Sequence, residues 1–203
     1  MERTSPFRKL LTKLGEKTSL ALTLRRIVEF GFIAEKRVIR AMLPLPSHAR
    51  VLDLGCGTGE HAPLFPAEGY EGIDIDPANI AYAKDHYPYA FAVGDATKLA
   101  YPDASFDAII VVGVFHHLTD ADASATLAEM KRVLKPGGAA LVMEDTQTWR
   151  PWTNVMQWLD QGAHIRTKEE WDRMFGSAFL IRDVRTFASG ISFYTAYLLT
   201  HGN

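Results

Sequence analysis

Three glycines, Gly55, Gly57 and Gly59, follow Val51-Leu52-Asp53-Leu54 and precede Glu60. Such a run brings bare backbone against a ligand where a strand turns into a helix. A dinucleotide cradle needs its third glycine one position later, where this chain carries Glu60, and a carboxylate that close to a pyrophosphate is repelled. Freed of a phosphate, the loop suits a ligand with a cationic, amino-acid-like end, which Asp53 can approach directly or through water. Cys56, between Gly55 and Gly57, reads as a small packing residue lining the cradle rather than a thiolate. Asp74 lies 19 positions after Gly55, where an acid can take both hydroxyls of a ribose. Ile75 can pack on the face of an adenine, and Asp95 with the neighbouring amide of Ala96 can read its edge. Asp76 before Pro77 reads instead as a helix cap.

A second group of residues offers proton transfer. In Val112-Gly113-Val114-Phe115-His116-His117, Val112 ends an apolar run beside the expected ligand, and a neutral imidazole can take a proton from an oxygen or nitrogen. Adjacent side chains at a strand end point in opposite directions, so one histidine is expected to reach a substrate, His117 ahead of His116, while the other bonds locally. Glu144 and Asp145 stand where they can orient that histidine or hold the substrate. His61, His86, His164 and His201 have no metal-site spacing, and no metal is expected.

These groups need a scaffold that collects them on one edge. From Arg50 onward, short β-rich runs alternate with helix-like segments, the pattern of a parallel sheet with crossover helices. Five parallel strands are expected over Arg50 to Leu54, Tyr70 to Ile73, Ala90 to Val93, Ala108 to Val114 and Ala139 to Met143. Pro136-Gly137-Gly138 is expected to end the last crossover helix. An antiparallel hairpin follows, Phe179 to Phe187 and Ile191 to Leu199, giving seven strands. Pro63 and Pro66 shorten the first crossover. Before Arg50 the texture is helical: Ser5-Pro6 opens one segment that Gly15 stops, a second runs through Leu20, Leu24, Ile27, Val28 and Phe32, and a third through Val38, Ile39, Met42 and Leu43. The division expected is a helical extension, 1–46, and a ligand-binding domain, 47–203.

Composition bounds the rest. The chain has 203 residues, 47% hydrophobic and 23% charged, the profile of one globular domain. One cysteine excludes a disulfide scaffold and fits a reducing compartment, so the cytoplasm is expected. No apolar run is long enough for a membrane span, and the start lacks a secretory signal. The net charge of -2 hides an asymmetry: residues 1–50 carry 11 Lys/Arg against 4 Asp/Glu, whereas residues 51–203 are net -9. The basic segment reads as a lid face, as a peripheral contact with anionic membrane at its inner surface, or as an RNA-binding arm. Nucleic acid is not the expected partner. Trp149, Trp152, Trp158, Trp171, Phe193, Tyr194 and Tyr197 can line an apolar pocket.

Taken together, VLDLGCGTGEHA, GIDIDP, GDATKLAYPDASFDAII, VFHHL and LAEMKRVLKPGGAALVMED resemble, in order and spacing, class I S-adenosylmethionine-dependent methyltransferases. The likeness is to the type 11 group similar to quinone-biosynthesis and small-molecule methyltransferases, and it spans residues 48–146. It implies a Rossmann-like, seven-stranded, mostly parallel α/β sheet with an antiparallel C-terminal hairpin and helices on both faces. It also implies S-adenosylmethionine as cofactor, S-adenosylhomocysteine as product, and methyl transfer to O, N or C of a small, apolar-bodied metabolite or lipid. The alternatives are an RNA methyltransferase and a cofactor-binding adaptor without turnover.

Overall fold

The computed structural model describes residues 32–202 apart from 44, 46, 148–163 and 191. Five strands pair in parallel: β1 (Val51–Leu54), β2 (Tyr70–Asp74), β3 (Ala90–Val93), β4 (Phe106–Val112) and β5 (Leu134–Asp145). The last two, β6 (Leu180–Ser189) and β7 (Ser192–Thr200), are antiparallel, and the sheet order is β3-β2-β1-β4-β5-β7-β6. The order reverses direction at β1/β4, and in open α/β sheets ligands bind beyond the carboxyl ends at such a switch point.

Helices cover both faces. On one side, α1 (Ile33–Met42) and α2 (Pro77–His86) contribute Ile39, Met42, Ile80 and Ala83 to a core with Val51, Ile110 and Met143. On the other, α3 (Asp120–Val133) and α4 (Lys168–Gly176) pack Leu127, Met130, Trp171 and Phe175 against Leu52, Ile109 and Val142. Helix starts follow local chemistry. Asp76 accepts from the Ala78 amide at 2.8 Å with Pro77 in the first turn, and Thr167 and Glu170 form a reciprocal capping box on α4. Along α1, Phe32, Glu35, Ile39 and Met42 recur at helical spacing and are all buried. Fully burying Ile39 and Met42 contributes about 1.5–3 kcal/mol each relative to exposure. The expected helix opening at Ser5 and the run from Leu20 to Val28 lie outside the described residues.

Three expectations are corrected. First, β4 ends at Val112 rather than Val114 and begins at Phe106. Gly113 turns at φ 66°, and the next amides bond to a side chain instead of a neighbouring strand. Second, His116 and His117 consequently lie in a single 3-10 turn, Phe115–His117, not at a strand end, and their rings meet at 4.0 Å rather than pointing apart. Third, Pro136-Gly137-Gly138 does not terminate a helix. The helix stops at Val133, Leu134 already pairs with Phe106, and the Pro-Gly-Gly residues form a register shift inside β5 before Ala139 pairs with Ala108. A Cβ on Gly138 would stand 2.7 Å from the Asp107 carbonyl, so only glycine lets the strands approach there.

Candidate functional site

The carboxyl end of β1 is shaped by glycine. Gly55, Gly57 and Gly59 all adopt positive φ (73°, 53° and 83°), but the space around them differs. A Cβ on Gly55 would lie 2.4 Å from Val114 Cγ2, and one on Gly59 2.9 Å from the Phe91 ring. A Cβ on Gly57 would meet nothing within 4 Å. Gly55 and Gly59 therefore pack, while Gly57 presents bare backbone to open space. Asp74 holds the loop: its Oδ2 accepts the Gly57 amide at 2.8 Å, and its Oδ1 accepts from the Asp76 amide at 2.8 Å and Asn79 Nδ2 at 3.4 Å. A carboxylate offers about four lone-pair sites, so Oδ2 keeps one for a ligand hydroxyl.

Around this cradle, Ile75 is 72% exposed and Val93, at the end of β3, is also exposed, so two apolar side chains stand uncovered beside the loop. Asp95 is exposed as well, but its Oδ1 is committed to the amide and hydroxyl of Thr97, which lower its pKa. Ala96 packs toward the core. Beneath the loop, Asp53 is buried and accepts from the Tyr70 hydroxyl at 2.6 Å. Burial outweighs that hydrogen bond and, with the Asp74 charge, pushes its carboxyl up to about 7. Burial likewise pushes the Cys56 thiol up, leaving a packing sulfur rather than a nucleophile.

The carboxyl ends of β4 and β5 are built differently. Glu144 is fully buried and its carboxylate collects four donors: the amides of Val114 (2.9 Å) and Phe115 (2.8 Å) on Oε1, and the amide (3.3 Å) and Nδ1 (2.8 Å) of His116 on Oε2. Its lone pairs are spent on the turn, so Glu144 orients His116 and has no capacity to hold a substrate. His116 is buried, whereas His117 is exposed. The turn is tied from the far side by Arg166, which donates to the Phe115 and His164 carbonyls and, at 2.6 Å, to Asp120, and lies over the Trp171 ring. The His164 amide donates to the His116 carbonyl at 3.0 Å. Thr146 pairs with Arg166, and Gln147 bonds to the Arg166 and Ile165 carbonyls, so the chain returns at 164–166 to where it left at 146–147.

A small cavity opens on the glycine loop, lined by Phe32, Glu35, Gly57, His61, Val112 and Tyr194. Val112 lines it together with Gly55 and Cys56. Tyr194 is one of the aromatics read as possible pocket residues, whereas Phe32, Glu35 and His61 were not singled out for a site. Glu35 carries the detectable signal: it is a charged residue on the apolar stripe of α1, and it is buried with its Oε2 accepting from Ser189 at 2.8 Å. The lining of this cavity includes two carboxylates, Glu35 and Glu60. The described residues hold no group of three His, Cys, Asp or Glu suited to a metal.

Residues 52–142 match the family of methyltransferase domains. Similar proteins include the tRNA (carboxymethyluridine(34)-5-O)-methyltransferase of Arabidopsis thaliana, 34% identical over 135 residues that cover 61% of this chain and 33% of that protein. The ubiquinone biosynthesis O-methyltransferase of Rhodopseudomonas palustris strain HaA2 is 30% identical over 155 residues, 70% of this chain and 58% of its own length. Over residues 52–142 the chain is similar to methyltransferase domains, and it spans a third of the length of the first relative and somewhat over half of the second. In fold it is similar to magnesium protoporphyrin IX methyltransferase from Synechocystis, solved with bound S-adenosylhomocysteine, at a TM-score of 0.70 and 17% identity over 88% of this chain and 87% of that one.

Proposed function

We infer that this chain binds S-adenosylmethionine at the carboxyl ends of β1 and β2 and transfers its methyl group to a small molecule with an apolar body. The observation that carries this reading is Gly57, bare toward open space and fixed to Asp74. S-adenosylmethionine supplies an electrophilic methyl on a sulfonium. On the protein's side, Gly55 and Gly57 keep the loop open, Asp74 Oδ2 takes a ribose hydroxyl, and Ile75 covers a base whose edge Asp95 and Ala96 meet. Val112 bounds the cavity, Cys56 backs the loop, and Asp53 supplies negative charge beneath it. His117, exposed on the 115–117 turn, accepts the proton of an oxygen or nitrogen acceptor, while His116 and Glu144 fix that turn. General-base catalysis of this kind contributes about 100- to 10,000-fold, and positioning supplies much of the rest.

The similarity to a quinone-pathway O-methyltransferase supports a lipophilic acceptor. Of residues 1–46, α1 packs into the core of the domain at 47–203, and the basic, apolar stretch ahead of it is the part that brings such an acceptor from an anionic membrane surface in the cytoplasm. An RNA acceptor is disfavoured by the net -9 of residues 51–203, despite the relative that acts on tRNA. Calorimetric titration with S-adenosylmethionine tests the reading: binding is expected, with Asp74→Ala weakening it by about 1–3 kcal/mol. No binding at millimolar concentration overturns it.

A further inference from the structure

We propose that Tyr70 is a positioning residue for cofactor binding, holding Asp53 by one oxygen so that its carboxylate is available to the cationic, amino-acid end of S-adenosylmethionine. The inference rests on the functional reading above. Side chains alternate across β1, so Val51 and Asp53 share the face that packs under α1 and α2, and Val51 pairs directly with Tyr70 of β2. From that register the Tyr70 ring runs along the sheet and its hydroxyl donates to Asp53 Oδ2 at 2.6 Å. The ring cannot swing away: it stacks on Phe65 (5.9 Å) and meets Tyr89 (5.4 Å) and Phe91 (5.8 Å) edge-on. Gly72, opposite Asp53, keeps the layer thin, since a Cβ there would stand 2.8 Å from Phe91 and 3.0 Å from Cys56 Sγ.

Among the described residues, the titratable groups coupled to Asp53 are Tyr70 and Asp74 of β2 and Cys56 of the loop, with Tyr89 beyond Tyr70; its register partners Gly72 and Ile110 carry no charge. None of these is a cation. Burial and Asp74 favour the protonated carboxyl, and the Tyr70 hydroxyl favours the ionised one, leaving the balance near neutrality. A cationic ligand binds the ionised form better, so affinity rises with pH through that range, and Tyr70 sets where the rise occurs.

The test is calorimetric titration of the full chain with S-adenosylmethionine from pH 6 to 8.5, alongside Tyr70→Phe and Asp53→Asn. The Kd of the unaltered protein is expected to fall about tenfold from pH 6 to 8. Tyr70→Phe is expected to shift that curve upward by about one pH unit, raising Kd about fivefold at pH 7 and converging toward pH 8.5, while Asp53→Asn flattens it. Superimposable curves for the protein and Tyr70→Phe overturn the proposal, as does a loss in Tyr70→Phe that is equal at every pH, which marks a packing role alone. Absence of binding by the unaltered protein overturns the functional reading itself.

Discussion

The two halves of the carboxyl rim use opposite means. At β1 and β2 the structure leaves capacity unspent: Gly57 faces open space and Asp74 Oδ2 keeps a lone pair. At β4 and β5 the carboxylate of Glu144 is filled by four hydrogen bonds, and Arg166 adds three more that hold the same turn. The first half is a receptacle; the second is a clamp that fixes where the 115–117 turn stands. A polar group is read as binding or as structural by whether its hydrogen-bonding valence is already filled.

The sharpest way to break this contrast is Glu144→Ala. It strips a buried imidazole and three amides of their acceptor, and a loss of about 3–5 kcal/mol in urea unfolding is expected. A loss under 1 kcal/mol would show that the turn does not depend on the carboxylate. Next come the glycines. Gly55→Ala combines positive φ with a Cβ placed against Val114 and is expected to cost about 2–3 kcal/mol of stability. Gly57→Ala carries only the backbone strain, about 1 kcal/mol, and is expected to reduce cofactor affinity more than stability. If the two variants behave alike in melting and in calorimetry, the division between packing and receiving glycines fails.

The last contrast concerns Asp53 and shows only when pH is varied. Its carboxyl holds a proton in the fold up to about 7, whereas in the unfolded chain it is released in the usual carboxylate range. The folded state therefore binds more protons between those values, and stability falls as pH rises through them. Asp53→Asn removes this dependence, so the variant is expected to gain about 3–4 kcal/mol on the parent between pH 4 and pH 8. Equal pH slopes for the two proteins in thermal melts would place the Asp53 carboxyl in the ordinary range.

Legibility in the sequence follows the same divide. Gly57 and Asp74 are 17 residues apart within one strand-turn-strand unit, so the glycine run and the acid after the second strand announce the receptacle directly. The seven strands are legible too, because period-two and period-3.6 patterns are local. The clamp is not: Glu144 reaches partners 28 to 30 residues back and Arg166 reaches 46 to 51, separations that no local pattern encodes. That is why the two histidines looked like a strand end. A carboxylate on the neighbouring strand had outcompeted the sheet for the amides of Val114 and Phe115. Likewise Tyr70 looked like one more strand aromatic, since nothing short of the β1–β2 register points its hydroxyl at Asp53.

Thr146 and Gln147 keep their partners at 165–166 whatever the length of chain that joins them, so an insertion between the two ends leaves the rim bonded as before.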